Sequence, residues 1–186
     1  MFDLDRFISD CRRALADDQG GHRAVREVVA RAVSDPSAVL AALGEPKRGE
    51  IQKLHNAPDL TIINVIWGPR MTIHPHNHRM TAVIGVYAGA EDNIFWRRVE
   101  GGDGKIEAAG AKALRAGDCT VLGKDIIHSV TNPLPRLTGA IHVYGGDFFT
   151  AERSEWDPET LAELPYDVAK TMRLFEESNA AFVGVR

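Results

Sequence analysis

The feature that most constrains the fold is a run of short, β-rich segments in the middle of the chain. The run begins after Gly49, and glycine, aspartate, asparagine and proline interrupt it at regular intervals. Short strands with this spacing are typical of an antiparallel sandwich or barrel. No long helices separate the segments, which disfavours a parallel α/β sheet. The predicted strands lie at 59–68, 81–89, 92–100, 105–110, 118–123, 128–132 and 137–146.

Helical patterns flank this region on both sides. Apolar residues recur at helical spacing in 2–15 and 22–33. A third short helix follows, with Ser34 or Asp35 as its N-cap and Gly44 at its end. In the tail, helices are predicted at 158–164 and 166–178. We therefore predict a single domain, which consists of an N-terminal helical segment (1–49) packed on a β-barrel (50–149) and a C-terminal helical tail (150–186).

Composition narrows the classes of function. The 186 residues are 44% hydrophobic and 26% charged, with a formal net charge of −4, so neither nucleic acid nor an anionic membrane is an expected partner. No apolar run approaches the ~20 residues that span a bilayer, and the acidic N-terminus is unlike a signal peptide. Cys11 and Cys119 form no CxxC motif, as expected for reduced thiols. These features indicate a cytoplasmic location and leave the oligomeric state open.

Three histidines occupy alternate positions in the segment IHPHNHR: His74, His76 and His78. Alternate residues of a strand share a face, so we expect all three rings to point the same way. Neutral imidazole is a common metal ligand. A distant strand would have to supply a further ligand, and His128 is the candidate. Three imidazoles on one side of an ion leave adjacent positions open for substrate.

The histidine segments resemble the two sequence motifs of the cupin superfamily. The first reads PHNH at 75–78, with a glycine at 89, and the second runs through 117–132. The resemblance covers about 60–148. It implies a mainly β fold, in which a cupin double-stranded β-helix, or jelly-roll barrel, carries N-terminal and C-terminal helices.

The same resemblance distinguishes among the histidines. The position of Pro75 and the distance to Gly89 favour His76 and His78 as metal ligands together with His128. His74 is then expected near the ligands or at the pocket edge.

One carboxylate of the common cupin pattern is missing. Cupins commonly place a glutamate shortly after the histidine pair, where this chain has Ala82 and Val83. Glu91 and Asp92 come after Gly89, past the expected end of the strand. We therefore expect three neutral histidines and no anionic group at the site.

This ligand set resembles that of the thiol dioxygenases: cysteine dioxygenase and, more closely, bacterial 3-mercaptopropionate dioxygenase. The match runs through 75–91 and 127–145. It implies an Fe(II) cofactor, and a small thiol and O2 as the molecules bound, with the thiol oxidised to its sulfinate. It also implies that His142 and Tyr144, alternate residues of one strand, form a catalytic pair beside the iron.

The chain departs from that family in three respects. The serine of the family's Ser-His-Tyr set is Ala140, and Val83 excludes the tyrosine–cysteine cross-link of animal-type enzymes. The family's carboxylate-binding residue has no secure counterpart. Its candidates are Gln52, Lys53, His55 and Arg70.

Two other functions remain compatible with these residues. One is a cupin enzyme that uses another metal, such as Zn, Ni or Mn, and a non-thiol substrate. The other is a non-catalytic cupin that binds a metal or a small molecule. A fold alone does not decide among them, because one fold supports many functions.

Overall fold

The computed structural model describes residues 1–17 and 22–183. Two antiparallel sheets face each other, with three helices before them and one after them in the chain. The helices are α1 (Leu4–Asp17), α2 (Arg23–Val33), α3 (Pro36–Leu43) and α4 (Val168–Val183). The strands are β1 (Glu50–Ala57), β2 (Leu60–Trp67), β3 (Thr72–Asn77), β4 (Ala82–Ala88), β5 (Ala90–Arg98), β6 (Ile106–Arg115), β7 (Cys119–Leu122), β8 (Ile127–Thr131), β9 (Thr138–Tyr144), β10 (Ser154–Trp156) and β11 (Glu163–Pro165).

The strand order is that of a double-stranded β-helix. The first sheet runs β1-β2-β9-β4-β7, and the second runs β11-β10-β3-β8-β5-β6. Strands β2 to β9 pair as nested partners, 2 with 9, 3 with 8, 4 with 7 and 5 with 6. A long hairpin folded over itself into two facing sheets gives this order, which is the jelly roll. The predicted fold class is confirmed.

The middle of the first sheet is buried on both faces. Every residue of β2 is buried. Ile63, Val65 and Trp67 point into the barrel, whereas Leu60 and Ile62 point outwards under the N-terminal helices. Because both faces of β2 are covered, its sequence is largely β-branched and apolar and does not alternate between apolar and polar residues.

Three short helices cover the outer face of this sheet. Val25, Val29 and Val33 of α2 pack with Val83 of β4 and other outward-facing residues of the sheet. Asp35 caps α3, because its side chain accepts a hydrogen bond from the backbone N–H of Ala38 at 3.1 Å. The N-cap is thus Asp35 rather than Ser34.

The predicted helix at 158–164 is wrong. The segment instead forms the turn between β10 and β11, and β10 extends the second sheet beside β3. The side chain of Asp157 accepts hydrogen bonds from the backbone N–H groups of Glu159 and Thr160, as an N-cap does, but only one turn follows. Leu161 completes the turn in a left-handed conformation, with φ of 56°.

The helix predicted over 166–178 is present as α4, and it closes one end of the barrel. Thr171 and Phe175 of α4 are buried, and the ring of Phe175 stacks on Trp67 with centroids 5.7 Å apart. Strand β1 and strands β10 and β11 were absent from the sequence prediction. Among the described residues, no helix is both long and apolar enough to cross a membrane.

Candidate metal centre

Three buried histidines meet inside the barrel. His76 of β3 and His128 of β8 are directly opposite each other in the antiparallel register, and His78 follows the end of β3. The Nε2 atom of His78 lies 3.2 Å from that of His76 and 3.3 Å from that of His128. These three residues are a group that could hold a metal ion.

The hydrogen bonds around the rings direct the Nε2 lone pairs towards one another. Nδ1 of His76 lies 2.8 Å from the backbone carbonyl of His74, which can only accept, so this nitrogen donates. Nδ1 of His128 lies 2.7 Å from Oδ1 of Asn93 and likewise donates. A neutral ring that donates through Nδ1 leaves Nε2 without hydrogen. The bare Nε2 atoms of His76 and His128 thus face Nε2 of His78, where a cation, or a hydrogen on His78, would be stabilised.

The three imidazoles are held neutral. Burial, the largest effect, lowers the pKa of His76 to about 4, and the positive charge of Arg153 acts in the same direction. Burial and the neighbouring histidines lower the pKa of His78 and His128 well below the usual value. Neutral imidazole is the form that binds metals.

The separations fit a divalent transition metal. Nitrogens about 2.0–2.1 Å from an ion lie about 3.0–3.4 Å from one another when their angles at the ion fall between octahedral and tetrahedral. The observed 3.2 and 3.3 Å fall in this range. The group contains no carboxylate.

The expectation that His74, His76 and His78 all point to the same face of the strand is wrong. A register shift between Ile73 and His76, where β3 pairs with β8, breaks the alternation. As a result Ile73 lines the cavity with His76 and His78, whereas the side chain of His74 does not. Its backbone carbonyl instead orients the ring of His76.

Two further sequence candidates lie beside this group on the facing sheet. Tyr144 and His142 of β9 are buried, and the Tyr144 hydroxyl lies 3.1 Å from Nδ1 of His142. The Tyr144 ring is edge-on to His78 with centroids 5.1 Å apart. Burial raises the pKa of the Tyr144 hydroxyl above its usual value, so it is protonated at neutral pH. The predicted pair therefore lies within the same cavity as the three histidines.

The carboxylate of Glu91, which the sequence interpretation placed past the end of a strand, lies inside the barrel. Strand β5 begins at Ala90, directly after the turn at Gly89, and Glu91 is fully buried. Its Oε2 accepts a hydrogen bond from Trp67 Nε1 at 2.8 Å and lies 3.5 Å from His142 Nε2. Glu91 is absent from the ligand group, but the expectation of a site without any anionic group is wrong.

The turn explains this error. Gly89 has a φ of +76°, and a Cβ there would come within 2.3 Å of Thr138 Oγ1. Only Gly89 separates the end of β4 from the start of β5, and this sharp turn directs Glu91 inwards. The signal in the sequence was the alternation of Glu91 and Asn93, two polar residues on one face of a strand otherwise rich in apolar residues.

The cavity above the histidines is small. It encloses about 30 Å³, which accommodates one or two water-sized groups beside an ion. Trp67, Tyr144, Phe148 and Phe175 contribute most of its aromatic wall. Trp67 therefore belongs both to the cavity wall and to the surrounding hydrophobic core. The cavity excludes most water, and a substrate larger than these groups would have to widen it.

None of the four candidate carboxylate-binding residues (Gln52, Lys53, His55 and Arg70) lines this cavity. Arg153, which the sequence interpretation missed, does not line the cavity either, but it packs on two residues of the cavity wall and lines the adjoining groove. Its guanidinium lies 4.0 Å from the ring centroid of Phe148 and 4.2 Å from that of Tyr166, and both rings line the cavity. The Nε and Nη1 atoms are buried without a hydrogen-bond partner among the described residues.

Comparisons with known proteins bear on the fold. No protein-family model matches the chain. An RmlC-like cupin family protein with a double-stranded β-helix fold from Methanocaldococcus jannaschii is 10% identical, with a TM-score of 0.47 over 57% of this chain and 87% of that one. A conserved protein with a double-stranded β-helix domain from Klebsiella pneumoniae is 16% identical, with a TM-score of 0.46 over 62% and 87%.

A third solved structure is that of an enzyme. Oxalate decarboxylase from Bacillus subtilis is 14% identical, with a TM-score of 0.45 over 60% of this chain and 28% of that one. In all three cases the similarity covers only about 57–62% of this chain. The chain's own nested strand order identifies its core as a double-stranded β-helix, and three of its buried histidines form a candidate metal centre inside that core.

Proposed function

We propose that this protein is an Fe(II)-dependent thiol dioxygenase that oxidises a small, carboxylate-bearing thiol to its sulfinate. The observation that carries the proposal is the convergence of three neutral histidines, without a carboxylate ligand, beside the Tyr144–His142 pair. The resemblance of 75–91 and 127–145 to thiol dioxygenases supports the same reaction.

The overall reaction is balanced without a further reductant. A thiol RSH and O2 give RSO2⁻ and H⁺: sulfur loses four electrons, O2 gains them, and both oxygen atoms end on sulfur. The residues that would hold the iron are His76, His78 and His128. When bound, Fe(II) would supply the soft, positively charged centre that attracts a thiolate and the electrons that O2 needs for activation.

The protein's own contribution is orientation and exclusion of water. Tyr144 faces His78 and is fixed by His142, so its hydroxyl is a preorganised hydrogen-bonding group next to the metal ligands. Asn93 and the His74 carbonyl hold the rings of His128 and His76 in the ligand orientation. The aromatic wall, with Phe148 stacked on Tyr144 at 4.2 Å, keeps the cavity small and dry.

Arg153 supplies the group that the sequence interpretation lacked. Its guanidinium has two buried nitrogens without a protein acceptor, and its charge contributes to lowering the pKa of His76 and His78. Buried donors without an acceptor are costly, and a bound carboxylate would relieve that cost. We therefore assign the substrate a carboxylate that pairs with Arg153.

Oxygen uptake tests the proposed function. The purified protein, loaded with Fe(II), is mixed with 3-mercaptopropionate, cysteine, mercaptosuccinate or cysteamine, and the sulfinate is quantified by mass spectrometry. We expect one O2 consumed per sulfinate, with the carboxylate-bearing thiols preferred over cysteamine. His128→Asn should lose the activity, and His55→Asn, a change on the outer strand β1, should keep it.

Two results would contradict the proposal. Iron that binds without uptake on any thiol would favour a non-catalytic binding protein. Turnover that appears only with Mn or Zn, on a substrate without sulfur, would favour the other class of metal-dependent cupin.

A further inference from the structure

Glu91 is a buried anion held by donors from two strands. Its Oε2 accepts from Trp67 Nε1 at 2.8 Å, and its Oε1 accepts from Asn93 Nδ2 at 3.0 Å. Burial by itself raises the pKa of Glu91, but the nearby His142 ring and the hydrogen bonds from Asn93 and Trp67 outweigh burial and lower it. The side chain is therefore a carboxylate at neutral pH.

The neighbouring carboxylate determines which nitrogen of His142 carries hydrogen. Nε2 of His142 is buried 3.5 Å from Glu91 Oε2 and has no hydrogen-bond partner among the described residues. A carboxylate only accepts, so a hydrogen on Nε2 is stabilised there and a bare lone pair is repelled. In the neutral ring, Nδ1 is then an acceptor, and the Tyr144 hydroxyl at 3.1 Å is its donor.

We propose that Glu91 is a positioning residue that holds His142 as the Nε2–H tautomer and so turns the Tyr144 oxygen, as a hydrogen-bond acceptor, towards the cavity. A phenol has one hydrogen, and here it is committed to His142. In the resembling enzymes a serine belongs to this set, whereas Ala140 has no hydroxyl. Glu91 reaches the same histidine from the facing sheet.

This orientation specifies what Tyr144 recognises, a point that rests on the proposed function. An acceptor oxygen repels a carboxylate and attracts a donor. The substrate carboxylate is therefore directed away from Tyr144 and towards Arg153, so that the thiol end lies on the Tyr144 side.

The tautomer is measurable in the metal-free protein without any substrate. Long-range ¹H–¹⁵N correlation spectra of histidine-labelled protein distinguish a protonated from a bare ring nitrogen. The His142 signals are assigned by their absence in His142→Gln. We expect protonated Nε2 and bare Nδ1 in the wild type, and a mixture of tautomers in Glu91→Gln. A wild-type ring with protonated Nδ1 would overturn the proposal, whether or not Glu91→Gln folds.

A double-mutant cycle tests the functional link. Glu91→Gln and Tyr144→Phe should each lower kcat about 10-fold or more, with iron content unchanged. If Glu91 acts through Tyr144, the double variant should be no slower than the slower single variant. Multiplied losses would show that Glu91 acts independently. Asp92→Asn, a change in the neighbouring surface ion pair with Arg115, is the matched control and should leave kcat unaltered.

The two proposals fail separately. If no thiol is oxidised, the proposed function fails, and the tautomer of His142 still decides the role of Glu91. If thiols are oxidised but Nδ1 of His142 is protonated, only the role of Glu91 is wrong.

Discussion

The interior of the barrel and the outer face of its first sheet are equally closed to solvent, but they are filled differently. The outer cluster, under the N-terminal helices, consists of aliphatic and aromatic side chains and Cys11. The interior places histidines, Tyr144 and Glu91 among its apolar residues. Strand β9 shows the contrast within one element, because Ile141 and Val143 face outwards while His142 and Tyr144 face inwards.

This difference in filling indicates that the outer cluster serves stability and that the polar groups of the interior serve function. Buried polar groups cost free energy unless they are hydrogen-bonded, so an interior that keeps several of them is organised for a purpose other than stability. The outer cluster has no comparable group of ionisable side chains among the described residues. Changes to the two regions should therefore have separable effects on metal binding and on folding.

The largest effect on metal binding is expected for His128→Ala. Removal of one of three ligands should weaken Fe(II) binding at least about 100-fold, since even loss of a residue that only supports a ligand costs 10- to 100-fold. Iron content after desalting, measured by atomic spectroscopy, checks this. Thermal unfolding of the metal-free protein serves as the control for folding. Unchanged iron content would remove His128 from the ligand set.

Leu60→Ala, in the outer cluster, is expected to lower folding stability and to leave metal binding unchanged. Leu60 is fully buried, and truncation of such a leucine costs about 2–5 kcal/mol through lost burial and the cavity left behind. Urea unfolding measures the loss. Iron bound per folded molecule should be unaltered. A large loss of iron at full folding would show that the two regions are coupled.

The sequence was sufficient for the fold and for most of the candidate ligands. The β-branched and aromatic segments bounded by turn residues predicted β2, β4, β5 and β7 to β9 closely. The spacing of the histidine motifs singled out His76, His78 and His128. These are properties of local pattern, which a single sequence records.

What the sequence did not predict depends on geometry between distant segments. The bulge in β3 turns the side chain of His74 away, and the turn at Gly89 brings Glu91 inwards. Arg153 lies in a tail that had been predicted as helical, and nothing in the local pattern connects it with a cavity lined by β3, β8 and β9. Such contacts arise from packing rather than from periodicity.

In the metal-free protein, acidification should lower the free energy of unfolding through the histidines of the interior. The outer cluster should contribute little to this pH dependence. The pKa of His76 is about 4 in the folded protein, below its usual 6.5, so the unfolded chain binds more protons between these values. Its contribution to stability is complete above about pH 6.5 and decreases as the pH falls. From pH 7 to pH 5 the loss should be about 2 kcal/mol for this group. Urea unfolding at both values, with His76→Gln as the non-titrating comparison, measures it, and an equal dependence in both proteins would refute it.

The smallest of these effects concerns Arg153, which packs on the cavity wall through Phe148 and Tyr166. If Arg153 binds the substrate carboxylate, Arg153→Gln should raise KM for 3-mercaptopropionate about 10-fold, because a hydrogen bond to a charged group contributes roughly 1.5–3 kcal/mol. The low activity expected with cysteamine, which has no carboxylate, should not fall further. Arg79→Gln is the matched control, since Arg79 is exposed and lies 4.0 Å from Glu163. Equal losses on both thiols would mean that Arg153 supports the aromatic wall through Phe148 and Tyr166 and does not recognise the substrate.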